Sequence, residues 1–309
     1  MKAGPPKRVV DGILLLDKPA ANGQCSQNFS SNKILQKIKH MFQAKKAGHT
    51  GTIDPFASGM LPICFGEATK FSQFLLDSDK TYQVKMCLGI RTNTSDIEGE
   101  VIRKCSVPSL TLAEVDAAFD TFRGSITQLP SMYSALKFKG QPLYKLARQG
   151  IVVDRPSRVI NVRRLEVISF EINQIEFEIE CSKGTYVRTL VDDFGEQLGC
   201  GAHVASLRRL SVGPFREQEM VTIKQLEQSQ GDFSQLDRYL LPVSMIVSQF
   251  PEVRLSDRLS TYVRHGRSVV LPEVSYFRWV KIITAQGLFL GVGEIVDSRC
   301  LVPRRLVRS

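Results

Sequence analysis

Residues 48–55 read Gly48-His49-Thr50-Gly51-Thr52-Ile53-Asp54-Pro55 and continue into "FASGMLPICFGEATKF". One acid, Asp54, sits in a cramped loop punctuated by glycines. Pro55 biases Asp54 to extended backbone and away from the right-handed helical region. Gly48, Gly51 and Gly59 allow close backbone approach or positive φ. A carboxylate held this way can point into a cleft. It can equally close an Asx-type turn on its own backbone, and the stretch alone fits both. His49 is open in the same way, to a site role or to a satisfied structural imidazole. No other histidine lies at ligand spacing, so no metal is expected.

Outward from this loop, the pattern alternates strand and helix. "GILLLDKP" (12–19) is an apolar run ended by Lys-Pro, which predicts a buried strand. "NKILQKIKHMF" (32–42) puts Ile34, Leu35, Ile38, Met41 and Phe42 on one face, with Lys33, Lys37 and Lys39 off it. "TYQVKMCLGIRT" (81–92) alternates as a half-buried strand, and the polar loop "TNTSDIEGE" follows. Thr111 and Glu114 form a T-x-x-E capping box ahead of a helix through Phe122. "QPLYKLARQG" (141–150) predicts a short helix. Ile175, Phe177, Ile179 and Cys181 alternate with three glutamates, a strand with one wet face. "SKG" turns the chain, and Leu190 and Phe194 mark a helix up to Gly199. The pattern weakens over 225–250. These weak patterns place a domain boundary there, between 1–245 and 246–309. The last segment predicts a helix, then a hairpin turning at 285–287, as in a small β-barrel.

Length and composition fit this organisation. The chain has 309 residues, 43% hydrophobic and 23% charged, with a formal charge of +10. The charge is uneven: residues 1–47 carry nine lysines and arginines against two acids, and residues 250–309 carry ten against five. Basic ends around a near-neutral body suggest a polyanion met at two places, although basic tails also serve solubility. Seven cysteines lie singly with no C-x-x-C, which argues against a disulfide framework or a cysteine zinc site. No secretory h-region and no apolar run of membrane length is visible, so the expectation is a cytoplasmic protein without a membrane partner.

Other residues stand out singly. Lys183, Tyr186 and Arg188 lie in "CSKGTYVRTL". If the strand continues past the turn, Tyr186 and Arg188 share a face. Such an arginine beside Asp54 would hold the acid ionised. Tyr82 can stack on a base or simply fill a strand position. Lys70 can meet phosphate or pair with Glu67. Leu207 can form a wall, with Arg208 and Arg209 as phosphate contacts or as solvated charges.

Together, "GHTGTIDPFASGMLPICFGEATKF", "DKTYQV", "PSMYSALKFKGQPLYKLARQG", "CSKGTYVRTLVDDFGEQLGCGAHV" and "LRRLSVGPF" closely resemble the bacterial TruB family of tRNA pseudouridine synthases. The likeness is dense over 11–240 and looser beyond. It implies an α+β fold: a pseudouridine synthase core, with a bisected, mostly antiparallel sheet among helices, plus a small C-terminal PUA-like β-barrel that binds RNA. It implies that Asp54 is the catalytic carboxylate, that Tyr82 stacks on the target base, and that Arg188 pairs with Asp54. Tyr186 would line the base pocket, and His49 and Leu207 would touch the extruded nucleotide or the space it leaves. Lys70 matches a motif lysine with a chiefly structural role. The implied substrate is the tRNA T-arm, with uridine 55 of the T-loop isomerised by a monomer without cofactor, metal or guide RNA. About seven extra residues between Lys-Pro and Ser30-Ser31 depart from the family pattern and include Cys25. Long insertions of this kind leave a fold intact.

Isomerisation breaks N1–C1′ and joins C5 to C1′, with no redox change and no group donor. A carboxylate can serve as nucleophile or as base in it. A tRNA-folding chaperone is the competing function and a guide-dependent relative a third. An Asp54→Asn variant separates the first two, because holding RNA needs no carboxylate.

Overall fold

The computed structural model describes residues 7–21, 29–272, 278–297 and 299–308. The lengthened loop around Cys25 falls largely outside these residues. The strand Gly12–Lys18 is buried on both faces. Leu14 and Leu16 enter the large core, while Ile13 and Leu15 enter a second cluster on the other side of the sheet. A strand covered twice needs an unbroken apolar run, and "ILLL" supplies it. Each such side chain contributes about 1.5–3 kcal/mol by leaving water.

Among the described residues, nine strands make one mixed sheet. From edge to edge they run Val221–Thr222, Gly12–Lys18, Ser58–Phe65, Ala202–Val212, Lys80–Leu88, Gln174–Cys181, Arg158–Glu171 and Gly124–Gln128, and Ala47–His49 pairs with Ser58–Phe65. Most junctions are antiparallel. The junction that matters is parallel and two residue pairs long, Arg208 with Ser58 and Arg209 with Gly59. It divides the sheet, which is the expected bisection. Gly59 has φ +99°, and a Cβ there would run into the backbone of Arg209, so only glycine permits this approach.

Helices cover the sheet. Ser30 caps Ser31–Met41 by accepting from the Lys33 N–H, and Ile34, Leu35, Ile38 and Met41 face the core. The Thr111–Glu114 box forms at the start of Leu112–Asp120, with both reciprocal bonds present. Ile175, Phe177, Ile179 and Cys181 point inward from Gln174–Cys181, leaving the glutamates outside. One local expectation fails. The strand does not continue past the "SKG" turn, because the helix Val187–Gln197 begins there with Tyr186 at its cap. Val187, Leu190, Val191 and Phe194 all reach the core at helical spacing, and that burial decides the conformation.

The C-terminal segment forms a separate five-stranded sheet in the order Glu252–Leu255, Trp279–Thr284, Phe289–Val296, Cys300–Leu306, Val269–Val270. The helix Asp257–Arg264 lies against it, with Leu255, Val263, Val280, Ile282, Leu290 and Leu301 as its core. This curled sheet is PUA-like. It packs on the first sheet through Phe74, which meets Phe250 and Trp279 edge-on, and through Phe71 against Phe289. No helix of the described residues is long and apolar enough to cross a membrane.

Candidate active site

The Asp54 loop is held by groups distant in sequence. The buried hydroxyl of Ser31 accepts from the Ile53 N–H and donates to the Ile53 carbonyl, each at 3.0 Å. The ammonium of Lys18 donates to the carbonyls of Pro19, Pro55 and Ala57 at 3.0, 3.1 and 2.6 Å. Lys18 is fully buried, and burial pushes its ammonium down to about 8, with Asp54 acting in the opposite sense. Asp54 therefore stands on a loop bolted on both sides of Pro55.

Arg188 meets it there. The Arg188 Nε lies 3.0 Å from Asp54 Oδ2, and Nη2 donates to Asp54 Oδ1 at 3.2 Å. Nη2 also donates to the Tyr133 carbonyl at 2.8 Å, while Nη1 donates to Asp96 Oδ2 at 3.0 Å and to the Thr94 carbonyl at 3.1 Å. Each Nη thus makes two hydrogen bonds, and Nε faces the Asp54 carboxylate at ion-pair distance. Burial works against the cation, but Asp54 and Asp96 outweigh it and hold Arg188 above the ordinary arginine value. Asp96 is itself fixed by the Thr94 hydroxyl at 2.6 Å and the Glu98 N–H at 3.0 Å. The side chains of Arg188 and Asp96 are 6% and 5% exposed, whereas that of Asp54 is 33% exposed. The site thus combines a buried anchor with an accessible carboxylate.

Tyr82 pairs with Arg209 on one side and Ile179 on the other. Burial raises its phenol above the ordinary value, Arg209 partly offsets that, and Asp54 adds to it. Burial and then Arg209 hold His49 below its usual range, so the ring is neutral near pH 7, and its buried Nδ1 has no partner among the described residues. Tyr186 is half-buried, its backbone clamped by the Gln128 amide at 2.8 and 3.0 Å, with the Arg158 guanidinium 5.5 Å from its ring centre. Leu207 is 6% exposed, opposite Val84 in the large core.

Lys70 lies elsewhere. It pairs with Glu67 at 2.5 Å and donates to the Leu306 carbonyl at 3.1 Å, joining the two sheets. The phosphate role considered for Arg208 and Arg209 is corrected in part. Arg209 is 1% exposed and cannot reach a phosphate, and Arg208 grips Asp17 with two bonds of 3.0 Å. A concavity of about 710 Å³ beside Lys18 and Ser58 is lined by Arg208, Lys37 and Phe29, among others, but not by Asp54. Sequence reasoning missed Lys18, Ser31, Asp96 and Gln128.

Known proteins share this arrangement's sequence. The TruB family pseudouridylate synthase N-terminal model matches residues 39–187, the tRNA pseudouridylate synthase B C-terminal model matches 188–248, and a pseudouridine synthase II TruB C-terminal model matches 251–307. The tRNA pseudouridine synthase B of Coxiella burnetii strain RSA 331 is 48% identical over 98% of this chain and 96% of its own length. That of Stutzerimonas stutzeri is 48% identical over 98% and 97%. The chain belongs to the TruB family. It is accordingly a tRNA pseudouridine synthase, an isomerase of tRNA uridine. The fold of this TruB member is shared with a solved Cbf5–Nop10–Gar1 complex, at a TM-score of 0.73 and 24% identity, over 97% of this chain and 85% of that one.

Proposed function

We propose that the uridine isomerised is the one at position 55 in the tRNA T-loop, and that Asp54 is the carboxylate that drives the reaction. The observation carrying this reading is the pairing of a one-third exposed Asp54 with an Arg188 that Asp96 and the Thr94 and Tyr133 carbonyls hold in place. Such an arginine cannot swing away to bind phosphate. It holds the acid anionic and oriented when RNA displaces water.

The target base leaves its stack to reach Asp54, at a cost of a few kcal/mol. Stacking on Tyr82 offsets about 1–3 kcal/mol of that. In this reading Tyr186 lines the base pocket, His49 and Leu207 touch the extruded nucleotide or the space it leaves, and Lys70 supports the frame. In the reaction the N1–C1′ bond breaks, the uracil turns, C5 bonds to C1′, and the C5 proton departs while N1 gains one. Asp54 enters as nucleophile or base in this sequence.

Residues 131–158 support a stem contact. They carry Lys137, Lys139, Lys145, Arg148, Arg155 and Arg158 against the single acid Asp154. They fold on a small core of Met132, Leu143 and Leu146, and the Tyr133 carbonyl ties them to Arg188. Phosphate contacts from such a basic arm set register without reading sequence. The protein acts as a cytoplasmic monomer without guide RNA, with 1–245 carrying the chemistry and 246–309 binding RNA.

The test is carbodiimide mapping and mass spectrometry of an unmodified T-arm hairpin after incubation with the purified protein. Wild type converts the one uridine without added RNA. Asp54→Asn binds the hairpin and leaves it unconverted. Conversion by Asp54→Asn would remove the acid from the mechanism, and conversion only with an added guide would remove the stand-alone reading.

A further inference from the structure

Arg209 is the largest fully buried side chain of the described residues, at 1% exposure. Unlike Arg188, it forms no ion pair with a carboxylate among them. Burying an uncompensated guanidinium costs several kcal/mol. A purely space-filling role at this position would be served as well by an apolar side chain. What the cation touches explains its presence. Nε donates to the Met60 carbonyl at 2.7 Å, and Nη2 donates to the Gly51 carbonyl at 3.2 Å, three residues before Asp54. The Arg209 charge works against the burial that raises the Tyr82 phenol. The Arg209 backbone pairs with Gly59 on one side and Tyr82 on the other, across the short parallel junction that divides the sheet.

We propose that Arg209 is a positioning residue of the isomerase, tying the Asp54 loop to the Tyr82 ring across the break in the sheet. The proposal rests on the reading of Asp54 and Tyr82 as the groups that meet the base. Two half-sheets joined by two residue pairs can shear against each other. Asp54 hangs from one half and Tyr82 belongs to the other. Arg209 spans both: its backbone pairs with Tyr82 and its guanidinium holds the Met60 and Gly51 carbonyls, so it fixes the distance between carboxylate and stacking ring. It also explains the glycine at position 59. Gly59 lets the Arg209 backbone approach, since a Cβ there would run into it.

The experiment compares Arg209→Met and Arg209→Lys with wild type and with Asp54→Asn. The measurements are hairpin affinity, single-turnover rate at saturating T-arm hairpin, and thermal melting. A positioning role leaves affinity within about threefold and lowers the saturated rate of Arg209→Met about 50- to 100-fold, the scale of an ångström-sized misplacement. Arg209→Lys, which keeps the charge and one carbonyl bond, recovers part of that rate. A structural role alone would lower the melting temperature and leave the rate of the folded fraction unchanged. A folded Arg209→Met turning over at the wild-type rate overturns the proposal. If Arg209→Met does not fold, Arg209→Lys decides, since a wild-type saturated rate there overturns it equally. An inactive Asp54→Asn beside fully active Arg209 variants sinks this inference alone, whereas an active Asp54→Asn sinks the reading beneath it.

Discussion

Replacing Asp96 with Asn tests whether Arg188 needs both carboxylates. In the native arrangement Asp96 accepts three bonds: from Arg188 Nη1 at 3.0 Å, from the Thr94 hydroxyl at 2.6 Å and from the Glu98 N–H at 3.0 Å. An asparagine has one acceptor oxygen and one donor amide. With its oxygen toward Arg188, its NH2 faces the Glu98 N–H; turned over, its NH2 faces the guanidinium. Either way two donors oppose each other in a site 5% exposed. Losing the partner of a buried charge outright costs 3–5 kcal/mol. Here Asp54 and two carbonyls still hold Arg188, so the loss is that of one charged hydrogen bond, about 1.5–3 kcal/mol. Arg188 then leans on Asp54 and on the Thr94 and Tyr133 carbonyls, and the carboxylate shifts with it. If most of that energy appears in the transition state, the single-turnover rate falls about 10- to 100-fold. Release of tritium from C5 of a T-arm hairpin at saturating enzyme reads the rate, and filter binding reads affinity, which stays near wild type. A wild-type rate in a folded Asp96→Asn protein would refute the view that Asp96 orients Arg188. A loss confined to affinity would place Asp96 in RNA binding instead.

Two further outcomes follow from the geometry. Lys70→Met removes the tie from Glu67 to Leu306 and costs about 1–2 kcal/mol, the scale of a half-buried charged hydrogen bond. Amide exchange over Cys300–Leu306 speeds up while the saturated isomerisation rate stays put, and a lowered rate with unchanged exchange would contradict the assignment. Asp193 is pushed up to about 6 by burial and then by neighbouring Asp192. The folded state thus holds this proton more tightly than the unfolded chain, and its contribution to stability is lost as pH rises from about 4 to about 6. Asp193→Asn gains about 1–2 °C in melting temperature over wild type above pH 6 and nothing at pH 4, the effect kept small by water at the half-open carboxyl. An equal gain at both pH values would assign it to something other than titration.

What could be read from the chain was what repeats locally or recurs as a motif. The twice-covered strand showed in an unbroken "ILLL", and the capping box showed in the Thr111–Glu114 spacing. Asp54 and Arg188 were found because their surroundings resemble a family. Period-two spacing carried past the glycine turn puts Tyr186 and Arg188 on one strand face. The helical spacing of Val187, Leu190, Val191 and Phe194 overrode that. Asp96 was passed over because "TNTSDIEGE" has the composition of a solvated loop. Only the distant Arg188 makes it a buried ion. Lys18 looked like punctuation at a strand end, yet its ammonium is spent on the carbonyls of Pro55 and Ala57. Ser31 and Gln128 hold backbone groups 22 and 58 residues away, a relation that no local period records.

The contrast between the two buried arginines shows what kind of site this is. Arg188 is neutralised by Asp54 and Asp96, so a substrate meets a carboxylate whose orientation is fixed before it arrives. Arg209 has no carboxylate partner among the described residues and donates to two carbonyls instead. Its charge bears on the Tyr82 phenol and on His49, disfavouring protonation of the imidazole. A neutral histidine, an aromatic ring and one accessible carboxylate suit an uncharged pyrimidine better than they suit a phosphate. The cations that could hold phosphates stand outside this pocket, on the arm from 131 to 158. On the proposed function, recognition of the RNA backbone and chemistry on the base fall to different parts of the chain. High salt should therefore weaken hairpin binding without slowing conversion of the hairpin already bound.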